Sequence, residues 1–234
     1  MSENNTIYYL QHKDIQDKDI LINEIYANTE SNYYFSDDFS KDFYTDLCYF
    51  GFISTTIIDN DKLFLLPEIQ FEYALLYFEN LHISKKVKKL INKKEYIFEV
   101  DSNIKEVLNK LDEYHNPNWL IGDYKNLLIE LFKDDSESFK IKTFLVKDKK
   151  TKEIIAGEIG YKIGNTYTSL TGFSSKEKKY NNYGTLQLIL TAKYLEKENY
   201  KLWNLGHPYM EYKYAIGAKR YRREEFLERW YSCM

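Results

Sequence analysis

Residues 139 to 174 constrain the fold more than any other part of the chain. "FKIKTFLVKD" (139–148) alternates apolar and polar residues, as a half-buried strand does. "EIIAGEIGYKIG" (153–164) and "NTYTSLTGFSS" (165–175) read as a second and a third strand, with Gly164–Asn165 at the turn between them. Inside the second strand, Glu158 stands between Gly157 and Gly160, in a run whose apolar character comes from Ile154, Ile155, Ile159 and Ile163. An ionised carboxylate in an apolar setting costs several kcal/mol unless it is paired. Glu158 therefore either faces water or is met by a cation, and the sequence leaves both open.

A long helix is predicted over about 183–198, with Leu186, Ile189, Leu190 and Leu195 near helical spacing. A final buried strand, "KLWNLG" (201–206), follows it. Upstream, residues 38–50 predict a short helix capped near Ser40 and ended by Gly51. Strands are expected at 62–67, 71–78 and 95–100, and helices at 84–93, 102–113 and 123–132. Strands, then helix, then strand make an α+β order. The domain boundary is placed at residue 95: residues 1–94 as a smaller N-terminal subdomain with a basic helix, and 95–234 as the catalytic domain.

Composition narrows the class. With 44% hydrophobic and 17% aromatic residues, the 234-residue chain can bury a core and is not a disordered one. Its net charge of −3 is small, but the basic residues are clustered. Lys85, Lys86, Lys88, Lys89, Lys93 and Lys94 crowd one short segment, and the arginines are Arg220, Arg222, Arg223 and Arg229. Two local basic patches on a mildly acidic chain suit a polyanion site better than a generally adhesive surface. Cys48 and Cys233 have no metal spacing and form no disulfide framework, so no metal is expected and a reduced, cytoplasmic setting is. "MSENNTIYYLQHKDIQDKD" lacks the regions of a signal peptide, and no apolar run is long enough to span a membrane.

Several segments, in one order from about 33 to 230, resemble the leucyl/phenylalanyl-tRNA–protein transferases. "FSDDFSKDFYTDLCYFGFIS" is similar to that family's "GGDLSP…Y..GIFPW" segment, and "LHISKKVKKL" to its "LHIS" with a basic helix. "NWLI" resembles "TWI", "EIIAGEIGYKIG" resembles "LVGGxYGVxxG", and "TGFSS" resembles "ESMFS". "KLWNLG" resembles "KLIDCQ", and "YAIGAKRYRREEFL" resembles "ASLGAxxIPRxxF". The C-terminal third also resembles arginyl-tRNA–protein transferases, through "YGTLQLIL" and "WNLGHPYMEYKYAIG".

The resemblance implies an N-acetyltransferase-like mixed sheet flanked by helices. It implies a monomer that needs no soluble cofactor. Its partners would be the acceptor end of an aminoacyl-tRNA and a protein or peptide N-terminus. The implied reaction moves an amino acid onto that N-terminal α-amine and creates an N-degron. Trp119, Phe173 and Ser174 fall on positions beside the terminal adenosine, where stacking would help; core packing is the plain alternative for Trp119. Lys85, Lys88, Lys89 and Lys93 share a helix face that could neutralise tRNA phosphates or could simply be solvated. Asn204 falls where the motif has Asp; it cannot be a general base, but it can orient the amine or donate to an oxyanion. Glu158 falls in the pocket for the transferred side chain, where the family has Met or Leu. A carboxylate there favours a guanidinium, so arginine is the expected donor and leucine or phenylalanine the alternative.

His207 before Pro208 reads as a loop residue, and Tyr212, Lys213 and Tyr214 fit either packing or a contact with adenosine or peptide. The patch from Lys219 to Arg223 fits tRNA or an acidic N-terminus equally. Two other classes stand beside this reading. An acyl-CoA N-acetyltransferase needs a glycine-rich turn before its helix, and "SSKEKKYNNYG" has only Gly184. A non-catalytic tRNA-binding protein is compatible with the altered "IDCQ" positions.

Overall fold

The computed structural model describes residues 8–234. The first seven residues, where part of the signal-peptide reading falls, lie outside the described residues. Strand β1 (Tyr8–Tyr9) pairs in parallel with β2 (Tyr34–Phe35). Between them run α1 (His12–Gln16), α2 (Lys18–Ile20) and a π-helical turn, Leu21–Tyr26. Helix α3 (Lys41–Tyr49) starts as its sequence predicts: the Ser40 hydroxyl accepts from the Phe43 N–H at 3.4 Å. Strands β3 (Ile53–Asp59) and β4 (Lys62–Glu68) form a hairpin whose turn residues, Asn60 and Asp61, both have positive φ. The β3 half of that hairpin is not among the strands the sequence predicts.

From Glu72 to Asn204 the elements follow the expected order. Strand β5 (Glu72–Leu76) is shorter than the predicted 71–78, because Phe78–Asn80 closes a 3-10 turn. Then come α4 (Lys85–Lys93), capped by Ser84, β6 (Tyr96–Val100), α5 (Ile104–Tyr114) and α6 (Gly122–Lys133). Residues 139–174 form the three expected strands, β7 (Phe139–Asp148), β8 (Ile154–Ile163) and β9 (Thr166–Ser174). After them come α7 (Tyr183–Lys197), β10 (Leu202–Asn204), α8 (Glu211–Ala215), β11 (Lys219–Arg222) and α9 (Arg223–Ser232). The elements beyond β10, namely α8, β11 and α9, are not among those the sequence predicts.

Seven strands make one mixed sheet in the order β11-β5-β10-β9-β8-β7-β6. Within it, only the β10–β9 neighbours run parallel. β5, from before the boundary expected at residue 95, lies inside this sheet between β11 and β10. One face packs on α4 and α7, through Val87, Leu186, Ile189, Ala192 and Leu195. The other packs on α5 and α6, and on the smaller N-terminal layer through Phe43, Leu47 and Leu65. The fold is α+β, as the order of elements predicts, with a mixed sheet flanked by helices, as the family resemblance implies.

The basic C-terminal segment is rearranged relative to expectation. Arg223 is not part of a surface patch; it is buried. Its guanidinium donates to the carbonyls of Tyr26 (2.8 Å), Asn28 (2.5 Å), Ile69 (2.8 Å) and Gln70 (3.1 Å), and to Ile25 at 3.4 Å. These carbonyls lie at the end of the π-helical turn and in the β4–β5 link. Five fixed donors suit such a group of acceptors, and the contacts fasten the N-terminal layer to the sheet. Arg220 stays on the surface and pairs with Glu72 at 3.0 Å.

Candidate functional site

The sheet opens at one place. β10 and β9 pair only from Leu202↔Thr166 to Asn204↔Thr168. Beyond that, β10 turns away through Leu205 and Gly206, while β9 runs on to Ser174. The exposed length of β9 forms one wall of a cavity of about 640 Å³. Other walls come from the start of α7, the β10–α8 turn, the α5–α6 link and the β3–β4 hairpin.

Glu158 lines this cavity and is buried, which excludes the solvated reading. Alternation along β8 puts Ile159, Tyr161 and Ile163 in the core on the α5–α6 side and turns Glu158 toward α7. Tyr167 donates its hydroxyl to Glu158 Oε1 at 2.9 Å, and Ser169 Oγ lies 3.4 Å from both carboxylate oxygens. Ser169 is itself fixed by the Trp203 indole N–H at 2.9 Å. Gly160 makes the arrangement possible: a Cβ there would collide with the Thr168 carbonyl and the Tyr167 hydroxyl. Burial pushes the Glu158 carboxyl up to about 7, against the opposing pull of Tyr167, Gln187, Ser169 and the positive charge of Lys213.

Lys213, on α8, is also buried, and burial draws its ammonium down to about 8. Its hydrogen bonds go elsewhere than to Glu158: it donates to the carbonyls of Leu205 (2.5 Å) and His207 (2.6 Å), clamping the turn after β10. On the hairpin wall, Glu68 is buried and pairs with His207 Nε2 at 2.9 Å. It also accepts from Asn32 (2.5 Å) and Gln70 (3.4 Å). Tyr209 stacks on the His207 ring, with centroids 5.2 Å apart and planes 21° from parallel. His115, in the α5–α6 link, holds β9 through Nε2, 3.1 Å from the Gly172 carbonyl and 3.2 Å from Thr171 Oγ1.

The structure brings Glu158, Trp119, Phe173 and Ser174 to the same cavity. Trp119 does two jobs: it lines the cavity and stacks on the core residue Tyr124 at 6.0 Å. Asn204 stays behind the wall. It is buried at the end of β10, its Oδ1 accepts from the Gly206 N–H at 2.9 Å, and its Nδ2 has no partner among the described residues. Lys85, Lys88, Lys89 and Lys93 lie on the exposed face of α4 while Val87 packs inward, and Lys93 pairs with Glu95 at 3.7 Å. They do not line the cavity. The sequence does not point to Glu68, Gln70 or His207 as site residues, and it leaves Lys213 open between packing and contact. Nothing local marks them, because the cavity joins residues more than a hundred positions apart.

Among the described residues no His, Cys, Asp or Glu side chains group as a metal site, and no helix is long and apolar enough to cross a membrane. The family model for leucyl/phenylalanyl-tRNA protein transferase matches residues 75–231. A leucyl/phenylalanyl-tRNA–protein transferase of Flavobacterium johnsoniae is 28% identical over 157 residues, covering 65% of this chain and 69% of that protein. Among solved structures, FemX has a TM-score of 0.49 at 12% identity and covers 91% of this chain and 76% of its own. L-PGS from Bacillus licheniformis has a TM-score of 0.42 at 16% identity over 76% of this chain, which spans 53% of that one.

Proposed function

Because the chain belongs to the leucyl/phenylalanyl-tRNA protein transferase family, we propose that it transfers an amino acid from aminoacyl-tRNA to the N-terminal α-amine of a protein. The supporting observation is a coincidence of position. The matched stretch, 75–231, supplies Trp119, Glu158, the β9 wall, the start of α7 and Lys213 to one cavity. The reaction is aminolysis of an ester that is already activated. An α-amine has a pKa of about 7.7–8.0, so part of it is neutral near pH 7. Holding amine and ester together in a half-apolar cavity supplies much of the rate. Trp119, Phe173 and Ser174 take the terminal adenosine, and the lysine face of α4 takes tRNA phosphates. The lengthened protein carries a new N-terminal residue and serves as a degradation signal in the cytoplasm.

The donor best supported is leucine or phenylalanine rather than the arginine that Glu158 suggests in the sequence. Ile53, Trp119, Leu170, Phe173, Leu188 and Met210 give the cavity an apolar surface. Burial favours the protonated form of Glu158, which weakens its pull on a guanidinium. A matrix of labelled Leu-, Phe-, Arg- and Lys-tRNA against peptides of differing N-terminal residue tests this. Leu- or Phe-tRNA is expected to give product at least about tenfold faster than Arg-tRNA, the discrimination of about 1–3 kcal/mol typical of an apolar pocket. Preferred use of Arg-tRNA overturns the donor, and no transfer from any tRNA overturns the reaction.

A further inference from the structure

We propose that Glu158 is the proton acceptor of the transfer step: its carboxylate takes the proton from the attacking amine and passes it to the ribose oxygen that leaves. This rests on the reaction proposed above. The nitrogen of the neutral α-amine bonds to the carbonyl carbon, and the bond from that carbon to the ribose oxygen breaks. One proton must travel from nitrogen to oxygen, and the cavity contains few groups able to carry it.

The geometry leaves Glu158 as the free one. Glu68 and His207 hold each other at 2.9 Å, and Glu68 also accepts from Asn32 and Gln70. His115 is held against β9 by its contacts to Gly172 and Thr171. Lys213 donates two of its three N–H groups to carbonyls, which fix the ammonium against the turn after β10. Asn204 is an amide and lies behind the wall. By contrast, the contacts to Glu158 Oε2 are loose: Ser169 lies 3.4 Å away, and the neutral amide of Gln187 faces the same carboxylate. Its orientation is set by Tyr167 and by the Trp203–Ser169 link, all on strands, so it is held without being used up. A carboxyl near 7 also suits a proton shuttle for an amine of pKa about 7.7–8.0. The charged and titratable groups facing it are Tyr167 on β9 and Tyr212 and Lys213 on α8; Gln187 on α7 is neutral.

The test compares single-turnover transfer from pre-bound aminoacyl-tRNA in wild type, Glu158→Gln and Glu158→Ala. Both variants are expected to lose about 100-fold or more in rate, the usual range for a removed general base, with tRNA affinity unchanged. Added formate is expected to restore part of the rate to Glu158→Ala and none to Glu158→Gln. If Glu158→Ala does not fold, the pH profile decides: the limb with a midpoint near 7 is expected to vanish in Glu158→Gln, leaving only the limb set by the acceptor amine at about 7.7–8.0. A Glu158→Gln rate near wild type overturns the role. So does a loss in Glu158→Ala that formate leaves untouched, or a limb near 7 that survives in Glu158→Gln. A variant that merely exchanges donor preference makes Glu158 a specificity residue and also overturns it. Failure of the wild type with every aminoacyl-tRNA removes the reaction itself, and this role with it.

Discussion

Glu68 and Glu158 face one cavity from different walls, and their surroundings differ in kind. Glu68, at the end of the N-terminal hairpin, is met by an imidazole and two amides. Glu158, inside the central sheet, is met by two hydroxyls and the Gln187 amide, with Lys213 nearby but bonded elsewhere. Both are buried. The difference teaches that burial alone does not define a carboxylate's job. One whose partners include a histidine is a structural tie between layers. One whose neutral donors do not offset its burial has its proton affinity raised, which suits the proton-transfer role proposed for Glu158.

The comparison can be broken by removing each carboxylate in turn. Glu68→Ala leaves Asn32, Gln70 and His207 without an acceptor, and is expected to cost about 3 kcal/mol of stability by urea denaturation. Glu158→Gln is expected to be at least as stable as wild type at pH 7, because it lacks the cost of ionising a buried carboxyl. If Glu68→Ala proves the milder change, the assignment of structural tie is wrong.

The pH dependence sharpens the contrast. The unfolded chain releases the Glu158 proton near 4.5, whereas the folded chain holds it to about 7. The folded state then binds more protons across that window, so its stability falls as pH rises from about 4.5 to 7, by about 3 kcal/mol at most. Below pH 4.5 the penalty is absent, and above 7 it is complete. Subtracting the Glu158→Gln curve from the wild-type curve isolates this slope; a flat difference refutes it.

Smaller effects follow from the partners. Tyr167→Phe removes a donor to the charged form of Glu158. It is expected to cost about 1 kcal/mol and to move the midpoint of the pH–rate profile upward. An unmoved midpoint separates Tyr167 from the chemistry. Least disturbing to the fold, Lys85→Ala with Lys88→Ala and Lys89→Ala on the exposed face of α4 should change stability by under about 0.5 kcal/mol. The same change should reduce the salt slope of tRNA binding by about one for each phosphate no longer neutralised; an unchanged slope places tRNA elsewhere.

Legibility in the sequence follows the range of the interaction. The helix at α3, the lysine helix and the three strands β7–β9 rest on caps, alternation and a tight turn, all contained within a few residues. β3 escapes a reading of the sequence although Asn60 and Asp61 make a hairpin turn, because its strand character shows only once β4 is paired with it. Glu158 can be singled out, as a charge between Gly157 and Gly160, but not explained: Tyr167 reaches it only because β9 returns in register and Gly160 has no side chain. Arg223 reads as one more surface cation until its five carbonyl partners are in place.

The sequence by itself determined the α+β order, the local helices and strands, the family and the presence of one misfit carboxylate. Hydrophobic periodicity, capping and turn chemistry act over a few residues and are written directly in the chain. Only the tertiary structure decided that Glu158 is buried, that Asn204 lies behind the wall, and that His207 and Lys213 belong to the cavity. Burial and desolvation depend on which distant segments close around a group, and a linear pattern does not carry that information.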